Sequence, residues 1–332
     1  MIHDFDRPVA RIAGTGHATG TRILTNADLE KMVETSDEWI TTRTGIKERR
    51  IVENGVVTSD LCVDACQQAL DEAGVSPHEI DYIVLGTVTG DMKFPSTATI
   101  IQSKLKAYNA TTFDVSAACS GWVYGIEIAD SLIRAGRADK ILVIGAEILS
   151  SMTNYNDRKT CVLFGDGAGA ALLVRSNDDR GFLSTYTGSN GDLAHLLICE
   201  GGGSYKPGKN RDIPSEDFTI YMNGNEVFRH AVRIMDHAAL TALEKARLSP
   251  EDVDMFIPHQ ANIRIIEAMK KRLKFPDEKV FVNIQKYGNT SSASIPTALD
   301  EAKNQGRVKE GDVILVAAFG GGFTWASAAF RL

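Results

Sequence analysis

The sequence predicts an α/β fold built from two related halves, and three observations carry that prediction. Apolar strand-like runs alternate with helix-patterned stretches along the chain, which favours parallel or mixed sheets covered by helices. Residues 68–87, QALDEAGVSPHEIDYIVLGT, align without gaps with residues 241–260, TALEKARLSPEDVDMFIPHQ, and six positions are identical. AGRADKILVIGAE (135–147) resembles QGRVKEGDVILVAAFG (305–320), with Arg137 set against Arg307 at an offset of 170 residues. Two matches in the same order indicate a duplicated unit. The halves fall at 1–177 and 178–332, joined in RSNDDRG.

In the first half, Leu61, Ala65, Ala69, Leu70 and Ala73 form the apolar stripe of a helix with a 3.6-residue period. Ser76 and Pro77 then start a new helical segment, serine as N-cap and proline at the first helical position. YIVLG follows as a short apolar strand. DVSAACSGW (114–122) sets Cys119 among residues too small to bury much, and an apolar helical pattern begins only afterwards with Val123, Ile126, Ala129 and Ile133. Cys119 is either a small core residue filling a gap or a nucleophile whose thiolate the helix N-terminus stabilises. FGDGAGAALL (164–173) matches neither a dinucleotide fingerprint nor a Walker sequence, and its small residues suit a strand packed tightly through the core.

The second half opens with EGGGSYKPG (200–208), which reads as a mobile loop. Phe228, Val232, Met235, Ala239, Ala242 and Ala246 then repeat the helical stripe, Ser249 and Pro250 repeat the cap, and DMFI repeats the strand. His259, in PHQAN (258–262), stands between that strand and a helix starting near Ile263. Counting back from Arg307 sets Asn289 of YGNTSSAS opposite Cys119, so both open the equivalent helix of their half. Taken singly, His259 reads as a structural residue or cap, and Asn289 as an ordinary N-cap. A pseudo-two-fold axis would bring all three junctions to one side of the sheets. AAFGGGFTW (317–325) adds three glycines after a buried strand, which permit positive φ and close approach of N–H groups to a ligand. That suits an oxyanion hole completed by the Cys119 N–H, and equally a hairpin turn.

At 332 residues, 43% hydrophobic and 24% charged, the chain has ample core. Its net charge of −7 argues against nucleic acid as a partner. Cys62, Cys66, Cys119, Cys161 and Cys199 are scattered without metal-ligand spacing, which fits a reducing cytoplasm and no metal centre. Cys62 and Cys66 share a helix face and read as core. MIHDFDRPVA lacks the apolar stretch of a secretion signal, and no run reaches the length of a membrane span.

In order, DVSAACSGW, FGDGAGAALL, MNGNEVFRHAV, IPHQANIRII, YGNTSSASIP and FGGGFTWAS resemble the β-ketoacyl-acyl carrier protein synthase III family across essentially the whole chain. The resemblance implies a thiolase-like fold, duplicated α/β halves in an αβαβα layered arrangement. It implies a catalytic triad of Cys119, His259 and Asn289, with oxyanion donors at the N–H groups of Cys119 and Gly321. The implied reaction is acyl transfer from acyl-CoA to Cys119, then decarboxylative condensation with malonyl-acyl carrier protein to initiate fatty-acid synthesis. His259 and Asn289 would donate hydrogen bonds to the oxyanion of that second step. Small residues around Cys119 would leave room for the acyl chain and the donors.

Carried over residue by residue, Trp39 and Arg158 sandwich the adenine of CoA and Arg43 lies near its phosphates. Gly224 and Asn262 line the pantetheine tunnel. Leu149 and Phe164 surround the acyl pocket, and Phe94 is supplied across a homodimer interface. SGW after the cysteine departs from the family's Ala-Gly-Phe, and sets Trp122 behind the nucleophile. Acyl-CoA is then a substrate and no cofactor is implied. The basic run RIIEAMKKRLK (264–274) reads as a solvated helix face or as a dock for an acidic carrier protein, through Arg264 first, then Lys270, Lys271 and Lys274. Other readings are a secondary-metabolism acyltransferase, a cysteine hydrolase and a non-catalytic dimer scaffold.

Overall fold

The structure is a computed structural model that describes residues 9–178, 180–208 and 213–332. Asp179 of the junction and most of MIHDFDRPVA lie outside the described residues. In chain order the first half contains β1 (Val9–Thr19), α1 (Asp37–Thr44), α2 (Thr58–Ala73), β2 (Tyr82–Gly86), α3 (Thr97–Leu105), β3 (Thr111–Val115), α4 (Gly121–Arg134), β4 (Lys140–Ile148) and β5 (Asp166–Ser176). The second contains β6 (Gly181–Ser189), α5 (Gly224–Ala246), β7 (Met255–Pro258), α6 (Ile263–Leu273), α7 (Ser294–Asn304), β8 (Val313–Gly320) and β9 (Thr324–Arg331).

Two main sheets result, and four strands of the first match the four of the second. The first has the order β1-β5-β4-β2-β3 and the second β6-β9-β8-β7. In each, a parallel pair (β2 with β4, β7 with β8) is extended by two antiparallel pairings, and in the first β3 adds a further parallel pairing to β2. A parallel bridge from Phe256 to Val280 stands where β3 stands in the first sheet. Strands buried on both faces need near-continuous apolar sequence, and ILVIGAEI and VILVAAFG supply it. Their one charged residue, Glu147, is fully buried.

The duplication extends to atomic detail. α4 and α7 end at Gly136 (φ 69°) and Gly306 (φ 68°), where glycine meets the positive φ of a helix C-terminus. The next residue closes each cap, Arg137 N donating to Leu132 O and Arg307 N to Ala302 O, both at 2.9 Å. Ser76 and Ser249 do cap, their own N–H groups bonded to Glu79 Oε1 (3.0 Å) and Asp252 Oδ2 (2.8 Å). Each cap starts only the single 3₁₀ turn Pro77–Glu79 or Pro250–Asp252, because the fully buried Ile80 and Val253 lead the chain straight into a strand.

The packing gives five layers. α2 and α3 cover the outer face of the first sheet through Leu61, Ala65, Ala69, Leu70 and Ile101. α5 and α6 cover the outer face of the second through Val227, Met235, Ala239, Ile266 and Met269. Between the sheets lie α4 and α7, whose Val123, Ile126, Ile295 and Leu299 share one core with both. Trp122 belongs to this middle layer, 1% exposed, with its indole N–H donated to Val143 O at 3.2 Å. It fills the space between the sheets behind Cys119. Gly169 in FGDGAGAALL lies on β5 where a Cβ would sit 2.7 Å from Thr297 N, so small residues let β5 pack against α7. EGGGSYKPG closes on itself, with Gly201 bridged to Lys206 and Lys206 paired with Glu200 and with Asp217 (2.9 Å). No helix among the described residues is long and apolar enough to cross a membrane.

Candidate active site

α4 and α7 start side by side in the middle layer, and the residues before them build the site. Cys119 sits on the 3₁₀ turn Ala118–Ser120 that leads into α4, and Asn289 precedes the turn Ser291–Ala293 that leads into α7. Ala118 (φ 46°) and Ser291 (φ 49°) open the two equivalent turns with the same positive φ, so the backbone sets Ser292, and not Asn289 as the sequence offset suggests, at the place that Cys119 holds in the first half. Gly86, Gly121 and Gly145 let the turns meet. A Cβ on Gly121 would lie 3.0 Å from Gly86 Cα and from Ser292 Oγ, and one on Gly145 would lie 2.2 Å from Ser292 O. The small residues after Cys119 therefore serve close packing between the halves, a correction to the expectation that they make room for substrate. Ser116 and Ala118, before it, do line the cavity.

Hydrogen bonds orient each polar side chain. Asn289 is held by its backbone, its N–H donating to Leu163 O (2.9 Å) and its C=O accepting from Gly165 N (3.0 Å). Its Oδ1 accepts the Ser291 N–H at 2.8 Å, which commits the Nδ2 end as the free donor. The cap reading and the catalytic reading are thus two ends of one amide. His259, 1% exposed, donates its backbone N–H to Ala317 O (2.8 Å) and sets Nδ1 2.6 Å from Ser294 Oγ. Its Nε2 is buried without a hydrogen-bond partner among the described residues. Burial pushes the imidazole down to about 3, so His259 is neutral at ordinary pH. Burial likewise pushes the Cys119 thiol up to about 12. The Ser291 hydroxyl opposes this with a hydrogen bond and the charge of Glu147 adds to it. Cys119 accordingly rests as a thiol, and His259 as a neutral imidazole.

The glycine turn closes over Cys119. Gly320, last residue of β8, comes so near that a Cβ on it would lie 2.7 Å from Cys119 N, and Thr324 Oγ1 donates to Ala117 O at 2.8 Å. Cys119, Gly321, Leu149 and Phe164 all line one cavity of about 460 Å³. Leu197, Ile198 and Ile220 form a further wall, from a region in which the sequence singled out only the glycine loop. The signal for Leu197 and Ile198 was the apolar stretch LAHLLI. Ser294 and Glu147 were also missed. A carboxylate inside an apolar strand was the readable sign of the second.

At the surface, the guanidinium groups of Arg43 and Arg158 each lie 4.9 Å from the centre of the Trp39 ring. Gly45, with φ 79°, ends α1 so close to Ile263 that a Cβ would lie 2.7 Å from that side chain, which sets the Trp39 helix beside Asn262. Asn262 caps α6 by accepting the Arg264 N–H at 2.9 Å, and Gly224 is the exposed first residue of α5. Phe94 is 84% exposed and does not line the cavity of its own chain.

The basic run is not one patch. Arg264 lies at the His259 end of α6, over the Phe228 ring at 5.4 Å, whereas Lys270, Lys271 and Lys274 lie at the other end, about 10–15 Å away along the axis. Lys270 is paired with Asp277 (2.7 Å) and Glu267, and Arg272 with Asp236 (2.9 Å). The acids of neighbouring turns neutralise part of the charge that the sequence shows as a block.

Comparison with known proteins adds the following. Sequence-family models for 3-oxoacyl-[acyl-carrier-protein] synthase III and for its C-terminal part match residues 113–191 and 243–332. A relative from Caldanaerobacter subterraneus subsp. tengcongensis, named β-ketoacyl-[acyl-carrier-protein] synthase III, is 52% identical over 98% of both chains. The crystal structure of 3-oxoacyl-[acyl-carrier-protein] synthase III from Aquifex aeolicus is 50% identical over 97% of this chain and 100% of its own, with a TM-score of 0.91. A priming β-ketosynthase of a polyketide biosynthetic pathway is 36% identical over 98% and 97% of the two chains, with a TM-score of 0.92.

Proposed function

Because the chain belongs to the β-ketoacyl-[acyl-carrier-protein] synthase III family, and is a thiolase-fold condensing acyltransferase, we propose that it joins an acyl-CoA primer to malonyl-acyl carrier protein through an acyl-Cys119 intermediate and so initiates fatty-acid synthesis. One observation carries the reading. A cavity of about 460 Å³ has Cys119 in its wall, beside a turn that fixes Asn289 as a donor. In the first half-reaction the Cys119 sulfur attacks the thioester carbon. The carbonyl oxygen, becoming an oxyanion, is held by the N–H groups of Cys119 and Gly321, and CoA leaves. In the second, malonyl thioester loses CO₂ and its own oxygen takes the charge. Neutral His259, donating from Nε2 while Nδ1 accepts the Ser294 hydroxyl, and Asn289, donating from Nδ2, stabilise that enolate. The resulting carbanion attacks the acyl carbon to form the new C–C bond, and the Cys119 sulfur leaves with the electron pair of the broken C–S bond.

Acyl-CoA would bind as a substrate, its adenine between Trp39 and Arg158 and its phosphates near Arg43. The acidic carrier protein would be steered to Arg264 and the less neutralised Lys271 and Lys274. In a cytoplasmic homodimer the exposed Phe94 would complete the acyl pocket of the partner. The test is incubation with acetyl-CoA and then malonyl-acyl carrier protein. One acyl group per subunit should map to Cys119 by mass spectrometry, and ketoacyl-carrier protein and CO₂ should follow. Cys119→Ser should give neither, because a hydroxyl has no comparable ionised fraction. Labelling at Cys199, or release of free acid alone, would overturn the assignment.

A further inference from the structure

Glu147 has no part in the mechanism above, yet it is fully buried and hydrogen-bonded to the nucleophile's own neighbour. From the end of β4 its carboxyl accepts the Thr87 hydroxyl (3.2 Å), the Thr89 hydroxyl (2.5 Å), the Val88 N–H (3.1 Å) and the Ser291 hydroxyl (3.1 Å). Ser291 and Cys119 also line the same cavity, and the Ser291 hydroxyl acts on the Cys119 thiol. A hydroxyl carries one proton, so Ser291 can donate to Glu147 or to the sulfur but not to both. We infer that Ser291 and Glu147 form a proton relay for the Cys119 thiol, with Glu147 acting on the nucleophile through Ser291. The inference rests on Cys119 being the nucleophile.

As the Cys119 S–H bond breaks, the Ser291 oxygen takes that proton and passes its own to Glu147 Oε1. The electron pair left on sulfur forms the C–S bond to the acyl carbon. CoA departs as a thiolate with the pair of the cleaved bond. The proton on Glu147 returns through Ser291 to the cavity, where the thiolate takes it, so the half-reaction neither gains nor loses a proton. Two further facts favour this acceptor over His259. Burial holds the Glu147 carboxyl up to about 7 against hydrogen bonds from Thr89, Val88, Ser291 and Thr87, whereas His259 is down at about 3. And the Glu147 charge opposes Cys119 ionisation, a repulsion that vanishes when Glu147 takes the proton.

The titratable groups facing this carboxyl are the Cys119 thiol and, from α2, the Cys62 thiol, which itself faces Asp91 and Asp114. On β5, Asp166 pairs with the adjacent Ile148 and accepts from Ser150. Segments 87–89 and 291–293 present only hydroxyl and apolar side chains.

The test compares wild type, Glu147→Gln and Ser291→Ala, the second keeping the backbone N–H that Asn289 needs. Two readouts are the rate of Cys119 alkylation by iodoacetamide from pH 5.5 to 9 and single-turnover acylation by acetyl-CoA. Wild-type alkylation should rise through an inflection near pH 7. Each variant should lose that inflection and slow roughly a hundredfold at pH 7.5, the scale of a lost general base. The double variant should be no slower than either single one, and decarboxylation of malonyl-acyl carrier protein should change little. A wild-type pH profile in either variant, or equal losses in alkylation and decarboxylation, would overturn the relay. If Glu147→Gln does not fold, Ser291→Ala decides alone. Alkylation requires no acyl-CoA, so absence of wild-type acylation would count against the substrate and not against the relay.

Discussion

At the scale of single residues, the proposed mechanism divides the chemistry among Cys119, His259 and Asn289 by what each can ionise. Asn289 cannot titrate, and His259 stays neutral above about pH 3, so both can only be donors to the oxyanion of decarboxylation. His259→Ala and Asn289→Ala should therefore still acylate Cys119. Each should slow condensation roughly a hundred- to a thousandfold, the usual cost of a lost preorganised donor. Single-turnover acylation and overall turnover, measured separately, check this. Either variant condensing normally while failing to acylate would reverse the roles. Ser294→Ala should fall between wild type and His259→Ala in condensation, since it removes only the group 2.6 Å from Nδ1.

At the scale of elements, the proposed sites of the two substrates lie on different helices. α1 carries Trp39 and Arg43, while α6 begins at Asn262 and Arg264, and Gly45 packed on Ile263 holds the two together. Stacking of a base on an aromatic ring contributes about 1–3 kcal/mol. Trp39→Ala should accordingly raise KM for acyl-CoA roughly tenfold while leaving KM for the carrier substrate unchanged. Arg264→Glu should do the reverse, and should flatten the salt dependence of carrier-dependent turnover, because exposed charges are screened over about 10 Å at 0.1 M ionic strength. Lys270→Ala should have little effect, since Asp277 and Glu267 already engage its ammonium. Steady-state kinetics with each substrate varied in turn separate these outcomes. Equal losses on both substrates would mean a shared structural defect.

For the whole molecule, Phe94 at 84% exposure, with Met92 at 53% and Val88 at 40%, is apolar surface consistent with a second copy as its cover. Sedimentation should show a dimer, and Phe94→Glu should weaken it; a wild-type monomer at micromolar concentration would refute the shared pocket. Stability should also carry the mark of Glu147. Its folded-state value of about 7 lies above the usual 4.5, so the native state binds more protons between those limits. The stability this contributes is fully present below about pH 4.5 and is lost as pH rises through about 7. Glu147→Gln has no such term. Its melting temperature relative to wild type should rise from pH 5 to pH 8, and a constant difference would argue against a shifted carboxyl.

By itself the sequence determined the duplicated α/β order, the helix stripes, the caps and the three loops bearing Cys119, His259 and Asn289. Periodicity, cap residues and repeats are local properties, written in residues a few positions apart. Only the tertiary structure decided what those loops do to one another. That Gly121 and Gly145 press against Ser292, that Ser291 stands between Cys119 and Glu147, and that Lys270 meets Asp277 all depend on contacts that spacing does not encode. The protonation states were illegible for the same reason. A helix N-terminus can be read from sequence, but the burial that lifts Cys119 and Glu147 while depressing His259 exists only once both halves are packed.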